Sequence, residues 1–218
     1  MNQKNDRISD RSMLFTILAL AWPTMLEQLM QTAVQYIDTA MVGSLGTQAT
    51  AAVGSTGTVN WLIGSTISAV GVGFLSYIAK AYGAGDQTAA KRAAAQAVLL
   101  TGILGIFFTA LTVLLSGKIP VWMQVAPEIR EMASAYFLIL YLPMLPRTAS
   151  IIFGTLLRAA GDTKSPMKIG LFVNLINVVL NFFLIYPSRR AKVFSLHFTI
   201  WGAGFGVIGA AIASAIAF

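Results

Sequence analysis

Six long apolar stretches, separated by short polar connectors, occupy most of this 218-residue chain. They cover residues 13–41, 49–79, 93–117, 132–157, 167–186 and 203–218. A helix needs about 20 predominantly apolar residues to cross the hydrocarbon core of a bilayer. The sequence therefore predicts an all-α integral membrane protein, in which residues 13–218 fold as a bundle of six transmembrane helices.

The composition supports a membrane protein and argues against several other classes. Hydrophobic residues make up 56% of the chain and charged residues 11%, whereas a soluble domain carries about 25% charged residues. There is no cysteine, so no disulfide framework is expected. The sequence shows no nucleophile with a matching base, no phosphate-binding loop and no zinc-type cluster. We therefore expect no enzymatic activity and no bound cofactor.

The net charge of +7 is distributed as a topology signal rather than as a nucleic-acid-binding patch. Alternate connectors divide the Lys and Arg residues into nine on one side and five on the other. The nine are Lys4, Arg7, Arg11, Lys80, Lys91, Arg92, Arg158, Lys164 and Lys168, and the five are Lys118, Arg130, Arg189, Arg190 and Lys192. Because cytoplasmic connectors carry the excess positive charge, residues 1–12 are predicted to form a cytoplasmic segment of a cell-membrane protein.

The last apolar stretch ends at Phe218 without a polar flank or a basic stop signal. A complete sixth helix would need several more residues and an interfacial anchor. We therefore expect this chain to be a fragment of a longer protein, truncated in or near the sixth helix.

Asp38 lies in the first apolar stretch, where an ionised side chain raises the free energy of membrane insertion. An ionised Asp at the middle of a membrane helix costs about 2.5–3.5 kcal/mol on insertion scales. Four residues precede it at four-residue steps, namely Pro23, Glu27, Gln31 and Gln35. Asp38 follows Gln35 by three residues, so all five side chains fall on one side of a helix. The first helix is thus predicted to carry one polar, ionisable stripe on an otherwise apolar surface.

Two interpretations of this stripe remain open. Asp38 could be neutralised by an ion pair, for example with Arg147, or lie at the membrane interface; alternatively, it binds a transported ion. Glu27 is a second candidate, about 16 Å from Asp38 along the helix axis at about 1.5 Å per residue. Pro23 lies one turn before Glu27 and removes a backbone hydrogen bond, so we expect a bend there.

Other polar side chains lie within the fourth and fifth apolar stretches. Asn174, Asn177 and Asn181 share one face of the fifth helix, where they either form interhelical hydrogen bonds or line a polar cavity with Asp38. Arg147, between Pro143 and Pro146, is permanently charged. It serves either as an internal counter-ion or as a contact for a substrate or a lipid phosphate.

Several segments, read together, resemble a known family. These are PTMLEQLMQTAVQYIDTAMVGSLGTQATAAVG at the first two helices, LLRAAGDTKSPM before the fifth, and NLINVVLNFFLI with WGAGFGVIGAAIAS at the last two. They resemble the MATE (multidrug and toxic compound extrusion) transporters, and the similarity covers essentially all of residues 13–218. The combination of Pro23, Asp38 and the following MVGSLG, in that order, is the most specific part.

The resemblance implies both a fold and a function. MATE transporters have twelve helices in two six-helix lobes, and this chain looks like the N-terminal lobe alone, so the missing C-terminal lobe is an expected partner. The family exports cationic and amphipathic compounds in exchange for protons or sodium ions. In members with an acidic residue before MVG, that residue couples transport to the ion, and it matches Asp38. The bend-forming proline matches Pro23, and Asn181 stands where some members have a second Asp.

The resulting hypothesis is cation-coupled antiport of cationic or amphipathic drugs. Asp38 is the main coupling residue and Glu27 a second, with Pro23 at the bend. The predicted cavity residues are Gln31, Gln35, Asn174, Asn177, Asn181 and Arg147. The coupling ion is H⁺ or Na⁺, and a sodium ion would bind at Asp38, Asn177 and Asn181. The alternatives are a lipid-linked saccharide flippase of the same superfamily and a non-transporting membrane subunit.

Overall fold

The structure, a computed structural model, describes the backbone of residues 3–193 and 196–218 and the side chains of residues 13–189 and 201–218. The helices are α1 (Gln3–Gly43), α2 (Thr47–Gly83), α3 (Gln87–Leu115), α4 (Ile119–Trp122), α5 (Pro127–Tyr141), α6 (Met144–Ala159), α7 (Lys164–Ile185) and α8 (Gly206–Ala217). Two strands, β1 (Pro187–Val193) and β2 (Leu196–Ala203), lie between α7 and α8.

The predicted helical membrane protein is confirmed, with a qualification on the number of crossings. Within the described residues, four helices are long and apolar enough to span a bilayer, namely residues 13–43 of α1 and the whole of α2, α3 and α7. The pair α5 and α6 forms a fifth span, bent by 51° at a short break. The sixth predicted helix corresponds to α8, which has only 12 residues and is shorter than a complete crossing.

The bend in the fifth span follows from its prolines. The predicted helix over residues 132–157 is interrupted at Leu142 and Pro143, and α6 begins at Met144. Proline lacks an amide hydrogen, and its ring disfavours helical geometry at the residue before it. The chain therefore leaves α5 after Tyr141 and restarts as α6 in a new direction.

A β-hairpin replaces the irregular connector expected before the last helix. Strands β1 and β2 pair antiparallel, from Pro187 opposite Ala203 to Val193 opposite Leu196. The last helix consequently begins at Gly206 rather than at residue 203. Gly204 and Gly206 have φ values of +69° and +56°, a left-handed conformation that glycine adopts without a steric penalty, so they allow the change from strand to helix.

The main core lies between α2, α3 and the bent pair of α5 and α6. Its large side chains are apolar or aromatic, and Phe137, Ile67 and Ile152 are completely buried. Its buried members are Ile63, Ile67, Ala97, Phe108, Ile119, Phe137, Leu140, Tyr141, Met144 and Ile152. This core fixes α5 and α6, which carry several of the polar residues discussed below.

A smaller cluster attaches α1, α7 and α8 to one side of that core. Val42 of α1, Ile185 of α7 and Val207 of α8 are buried together in it. The approach of α7 to α8 is so close that a side chain at Gly209 would collide with the carbonyl of Leu184. Three helices bearing polar residues are thereby held against one another.

The outer surface carries large apolar side chains, as expected for a protein in contact with a lipid bilayer. Phe15, Trp22, Trp61 and Leu114 each expose more than 60% of their area. A soluble monomer rarely exposes a contiguous apolar surface of this extent, whereas a membrane span must do so.

Candidate functional site

Helix α1 faces the rest of the lobe through only part of its predicted polar stripe. Pro23 is fully buried, and Glu27 and Asp38 are partly buried, whereas Gln31 and Gln35 are exposed. The reason is geometric, because successive four-residue steps drift by about 40° around a helix of 3.6 residues per turn. By Gln35 this drift has rotated the side chain away from the interface, and the three-residue step returns Asp38 to it.

Asp38 is joined directly to α7. The amide nitrogen Nδ2 of Asn181 donates to Asp38 Oδ1 at 2.7 Å, and Asn181 is only 1% exposed. The same nitrogen also donates to Asn177 Oδ1 at 3.2 Å. The remaining oxygen, Asn181 Oδ1, is buried and has no hydrogen-bond partner. The predicted grouping of Asp38 with Asn177 and Asn181 is thus present. Asn181 Oδ1 remains a buried acceptor without a hydrogen-bond donor.

Of the two orientations of the Asn177 side-chain amide, hydrogen bonding favours the one that turns its nitrogen towards Asp38. In one, its nitrogen donates to Ser214 Oγ of α8 at 3.1 Å, and its oxygen faces the Asp38 carboxyl. In the other, its nitrogen donates to Asp38 Oδ2 and Oδ1 at 3.1 and 3.2 Å, and its oxygen accepts from Ser214 Oγ at 3.1 Å. The two orientations exchange a donor for an acceptor beside Asp38.

Ser214 belongs to this network but was not among the predicted site residues. Its only signal in the sequence is its place, four residues after Ala210 on the small-residue face of the last helix. Asn174, predicted as a cavity residue, lies on α7 and is partly buried, and no described hydrogen bond connects it to Asp38. The network therefore consists of Asp38, Asn177, Asn181 and Ser214.

Glu27 lies in a different contact from Asp38. Arg158 Nη2 donates to Glu27 Oε1 at 2.8 Å and to Oε2 at 2.7 Å, and the two side chains are 24% and 19% exposed. Arg158 had been assigned to the connector before the fifth predicted helix, but it lies in the last turn of α6. Glu27 thus connects α1 to the end of α6, one turn after Pro23.

Arg147 is not the counter-ion of Asp38 in this structure. The ion pair between Glu27 and Arg158 is the only one among the described side chains, and Arg147 has no acidic neighbour there. Its guanidinium carbon lies 5.8 Å from the ring centre of Tyr141 and 4.9 Å from that of Phe218. The ion-pair interpretation of Asp38 is therefore wrong as far as Arg147 is concerned.

A surface cavity of about 560 Å³ lies elsewhere, between the end of α2 and the start of α3. Its lining includes Tyr77, Arg92 and Gln96, none of which belongs to the Asp38 network. Within the part of the chain that the structure describes, no group of three His, Cys, Asp or Glu residues forms a metal cluster.

The chemistry available at Asp38 follows from its neighbours. Its carboxyl group contacts the side-chain amides of Asn181 and Asn177, and no cationic side chain is paired with it among the described residues. A carboxylate in such surroundings has a negative charge without a counter-charge, which favours binding of a proton or a small cation. The oxygen atoms of Asp38, Asn181 and Asn177 are ligands of the type that hard cations prefer.

Comparisons with known proteins identify the family of the chain. A family model described as MatE matches residues 23–183. The probable multidrug resistance protein NorM of Thermotoga maritima is 30% identical over 170 residues, covering 78% of this chain and 37% of that protein. The FAD transporter of Shewanella oneidensis is 28% identical over 159 residues, covering 72% of this chain and 35% of that protein.

A solved structure shares the architecture as well. The crystal structure of MATE in complex with MaD3S superposes with a TM-score of 0.81 at 28% sequence identity, covering 93% of this chain and 42% of that chain. This chain therefore spans less than half the length of the relatives that it matches. The chain belongs to the MATE family of membrane transporters and corresponds to an N-terminal half of these proteins.

Proposed function

We propose that the natural protein is a multidrug exporter that exchanges cationic or amphipathic compounds for a coupling cation, H⁺ or Na⁺, bound at Asp38. Membership of the MATE family and similarity to proteins named for multidrug resistance support export. The observation that carries the coupling role is the contact of Asp38 with Asn181 and Asn177, without a paired cationic side chain among the described residues.

The two orientations of Asn177 correspond to two charge states of Asp38. When Asp38 is ionised, the orientation that places the Asn177 nitrogen against both carboxylate oxygens is favoured. When Asp38 is protonated, its hydroxyl can donate to the Asn177 oxygen in the opposite orientation. Protonation of Asp38 on α1 would thereby reverse the hydrogen bond between Asn177 and Ser214 of α8. The Ser214 hydroxyl accepts in one orientation of Asn177 and donates in the other.

A sodium ion is an alternative occupant of the same position. Asn181 Oδ1 is a buried acceptor without a donor, and such a group is costly unless a proton donor or a cation meets it. A sodium ion there would be held by oxygen atoms of Asp38, Asn181 and Asn177, as predicted from the sequence. Because its own charge would offset that of Asp38, it would act on the network as a proton does.

Coupling to movement would act through α1. This helix touches the lobe along a narrow stripe in which Pro23 and Glu27 lie near one end and Asp38 near the other. Pro23 leaves a weakened point in the helix, so a change of contacts at Asp38 can alter its packing or bend. A cationic drug competes for the same negative charge, and this competition produces exchange rather than simultaneous binding.

Export of an anionic compound is the second candidate. It is favoured by one observation, since the similar protein from Shewanella oneidensis is named an FAD transporter.

Lipid-linked saccharide flipping would require a strongly basic cavity. Among the described helices, the partly buried basic side chains are Arg130, Arg147 and Arg158, and Arg158 is already paired with Glu27. Drug export is therefore favoured over saccharide flipping. In our proposal the exporter lies in the cell membrane with its N-terminus in the cytoplasm.

The test is efflux of ethidium from cells that lack other exporters, using the protein in the full length that its gene encodes. We expect Asp38→Asn to abolish efflux driven by a proton or sodium gradient, because an amide cannot gain or lose a charge. The matched control is Glu131→Gln, which removes an exposed carboxylate of α5. Undiminished gradient-driven efflux by the Asp38→Asn variant would sink the proposal.

A further inference from the structure

Small side chains leave a groove where the end of α2 meets the start of α3. This groove is the surface cavity of about 560 Å³, and Gly73, Ala89 and Ala93 are among its lining residues. A Cβ at Gly73 would meet nothing within 4 Å, so a larger side chain there would occupy open space in the groove. Its volume lies in the range of about 300–1,000 Å³ that is typical of ligand sites.

The groove changes from polar to apolar along its length. Asp86 and Arg92 line it beside the connector between α2 and α3, and Gln96 follows Arg92 by one helical turn, about 6 Å along the axis. Phe74 and Val70 of α2 line the other end. Val70 lies 13 residues before the end of α2, or about 20 Å along its axis. This order of polar and apolar groups is that of an amphiphile.

The polar end of the groove lies at the level of the membrane surface. Helix α2 has 37 residues, or about 55 Å, whereas the hydrocarbon core is about 30 Å thick, so α2 extends beyond it. Tyr77 and Tyr82 are exposed near its end and Lys80 lies in its last turn, a combination typical of the interface. Beside the apolar end, Val72 and Leu99 belong to the exposed apolar surface. The groove is therefore continuous with the surface that faces lipid.

Two opposite charges line the polar end without pairing with each other. Among the described residues, no hydrogen bond or ion pair engages the guanidinium of Arg92. Asp86 Oδ1 accepts from the backbone N–H of Ala89 at 2.9 Å, whereas no described donor reaches Oδ2. The groove thus offers N–H donors for an anion and, nearby, a carboxylate oxygen for a cation.

We propose that this groove binds one phosphatidylethanolamine molecule, with its phosphate at Arg92 and its ammonium group at Asp86. A guanidinium can donate two parallel hydrogen bonds to a phosphate. The Gln96 amide, one turn deeper, can donate to an ester carbonyl, and an acyl chain packs against Phe74 and Val70. In the proposed topology the lipid comes from the cytoplasmic leaflet. The inference does not depend on the proposed export function.

The ammonium group distinguishes this lipid from the other common phospholipids. Phosphatidylglycerol has a phosphate but no cation, so its negative charge would be left beside Asp86. Phosphatidylcholine has a quaternary ammonium group, which has no N–H to donate to the carboxylate. Charge-assisted hydrogen bonds are roughly twice as strong as neutral ones, so we expect Asp86 to select the primary ammonium.

The experiment measures lipid binding to the delipidated protein in detergent, in the full length that its gene encodes. Phosphatidylethanolamine, phosphatidylglycerol and phosphatidylcholine with identical acyl chains are titrated separately, and bound lipid is counted by native mass spectrometry. For the wild type we expect saturable binding of one phosphatidylethanolamine, about tenfold tighter than binding of either other lipid. Because the acyl chains are identical, the difference reports on the head group alone.

Three variants test the parts of the groove. Arg92→Gln should weaken all three lipids about tenfold, because each carries the phosphate. Asp86→Asn keeps an oxygen that can cap α3, but it should remove the preference for phosphatidylethanolamine. Gly73→Leu should weaken all three lipids by filling the groove. Lys118→Gln removes an exposed charge beyond the opposite end of α3 and is the control that should change nothing.

Every other outcome overturns the proposal. Tighter binding of phosphatidylglycerol would assign the groove to anionic lipid, and equal binding of all three would indicate adventitious lipid only. Absence of saturable binding would show that the rest of the protein covers the groove. Unchanged affinities in Arg92→Gln or Gly73→Leu, with thermal unfolding showing folded protein, would place the lipid elsewhere. The wild-type preference decides the proposal even where a variant fails to fold.

Discussion

The side-chain amide of Asn181 donates to Oδ1 of Asp38 over 2.7 Å and thereby joins α7 to α1. The resemblance to the MATE transporters implies that Asn181 stands where some members carry a second carboxylate. In this chain the position supplies a hydrogen-bond donor instead of a further negative charge. Asp38 is consequently the single carboxyl group of the network formed with Asn177 and Ser214.

The first prediction concerns this hydrogen bond. Replacing Asn181 with Leu should lower the free energy of unfolding by about 1–3 kcal/mol, because the Asp38 carboxyl loses a buried donor. The measurement is thermal or denaturant unfolding in detergent. Asn174→Leu is the matched control on the same helix and should change stability little, since no described hydrogen bond engages that side chain. Equal effects of the two substitutions would contradict the assigned contact.

The ion pair between Glu27 and Arg158 gives a second prediction. Glu27→Gln and Arg158→Gln should each destabilise the protein by about 1–3 kcal/mol, because each leaves a partly buried partner charge without its counter-ion. The double variant should cost less than the sum of the two, and a double-mutant cycle measures that difference. Strict additivity would show that the two side chains do not interact.

The same pair separates Glu27 from the proposed coupling role. If Glu27 only fixes α1 to the end of α6, the double variant should regain part of the efflux lost in Glu27→Gln. An equal loss of gradient-driven efflux in the single and double variants would instead support Glu27 as a second coupling residue.

Two glycines of α3 provide a packing prediction with an internal control. A Cβ at Gly105 would lie 2.8 Å from the Leu145 Cα, whereas a Cβ at Gly102 would meet nothing within 4 Å. Gly105→Ala should therefore destabilise the lobe by about 1–3 kcal/mol through overpacking against α6. Gly102→Ala should be neutral or stabilising by up to about 1 kcal/mol, because alanine favours the helix. Unfolding temperatures in detergent that follow the reverse order would contradict the packing.

Asp162 gives a pH prediction in the connector before α7. Its carboxylate accepts from the backbone N–H groups of Ser165 at 3.0 Å and Lys164 at 3.1 Å. Hydrogen bonding from Ser165, through its side chain and then its backbone, holds the pKa of Asp162 below the ordinary value of 3.8. A group with a lowered pKa stabilises the folded state above its unfolded pKa, and this contribution disappears as the pH falls through the folded pKa.

We therefore expect Asp162→Ala to be less stable than the wild type at pH 7 and to approach it in stability as the pH falls through the folded pKa of Asp162. Thermal unfolding between pH 7 and pH 2.5 measures the difference, and amide hydrogen exchange at Lys164 and Ser165 localises it. Glu131→Gln, which removes an exposed carboxylate, serves as the control. A stability difference that grows on acidification would contradict the assigned sign.

The sequence predicted most of the fold because long apolar runs have few alternatives in a membrane. The bounds of α2 and α7 lie within a few residues of the predicted spans, whereas α1 and α3 begin clearly earlier than predicted. The 51° bend between α5 and α6 was also signalled, by Pro143 and Pro146. The hairpin of β1 and β2 was missed, since its residues were interpreted only as a basic connector and the start of a helix.

The sequence could predict only those parts of the site whose residues share one face of a single helix. Periodicity placed Pro23, Glu27 and Asp38 on one face, and it placed Asn177 and Asn181 on another. The resemblance to the MATE transporters then singled out Asp38. Gln31 and Gln35 are exposed, because a four-residue repeat rotates slowly around the helix, and their role as cavity residues stays a prediction.

By itself, the sequence determined that this chain crosses a membrane as helices and carries a carboxyl group within a membrane span, because hydropathy and periodicity act within a single segment. Only the tertiary structure decided the partners: Asn181 and Asn177 for Asp38, Arg158 for Glu27, and aromatic rings for Arg147. The physical reason is that a buried charge fixes the need for a partner but not its identity. That identity depends on which helices pack together and at what height along their axes.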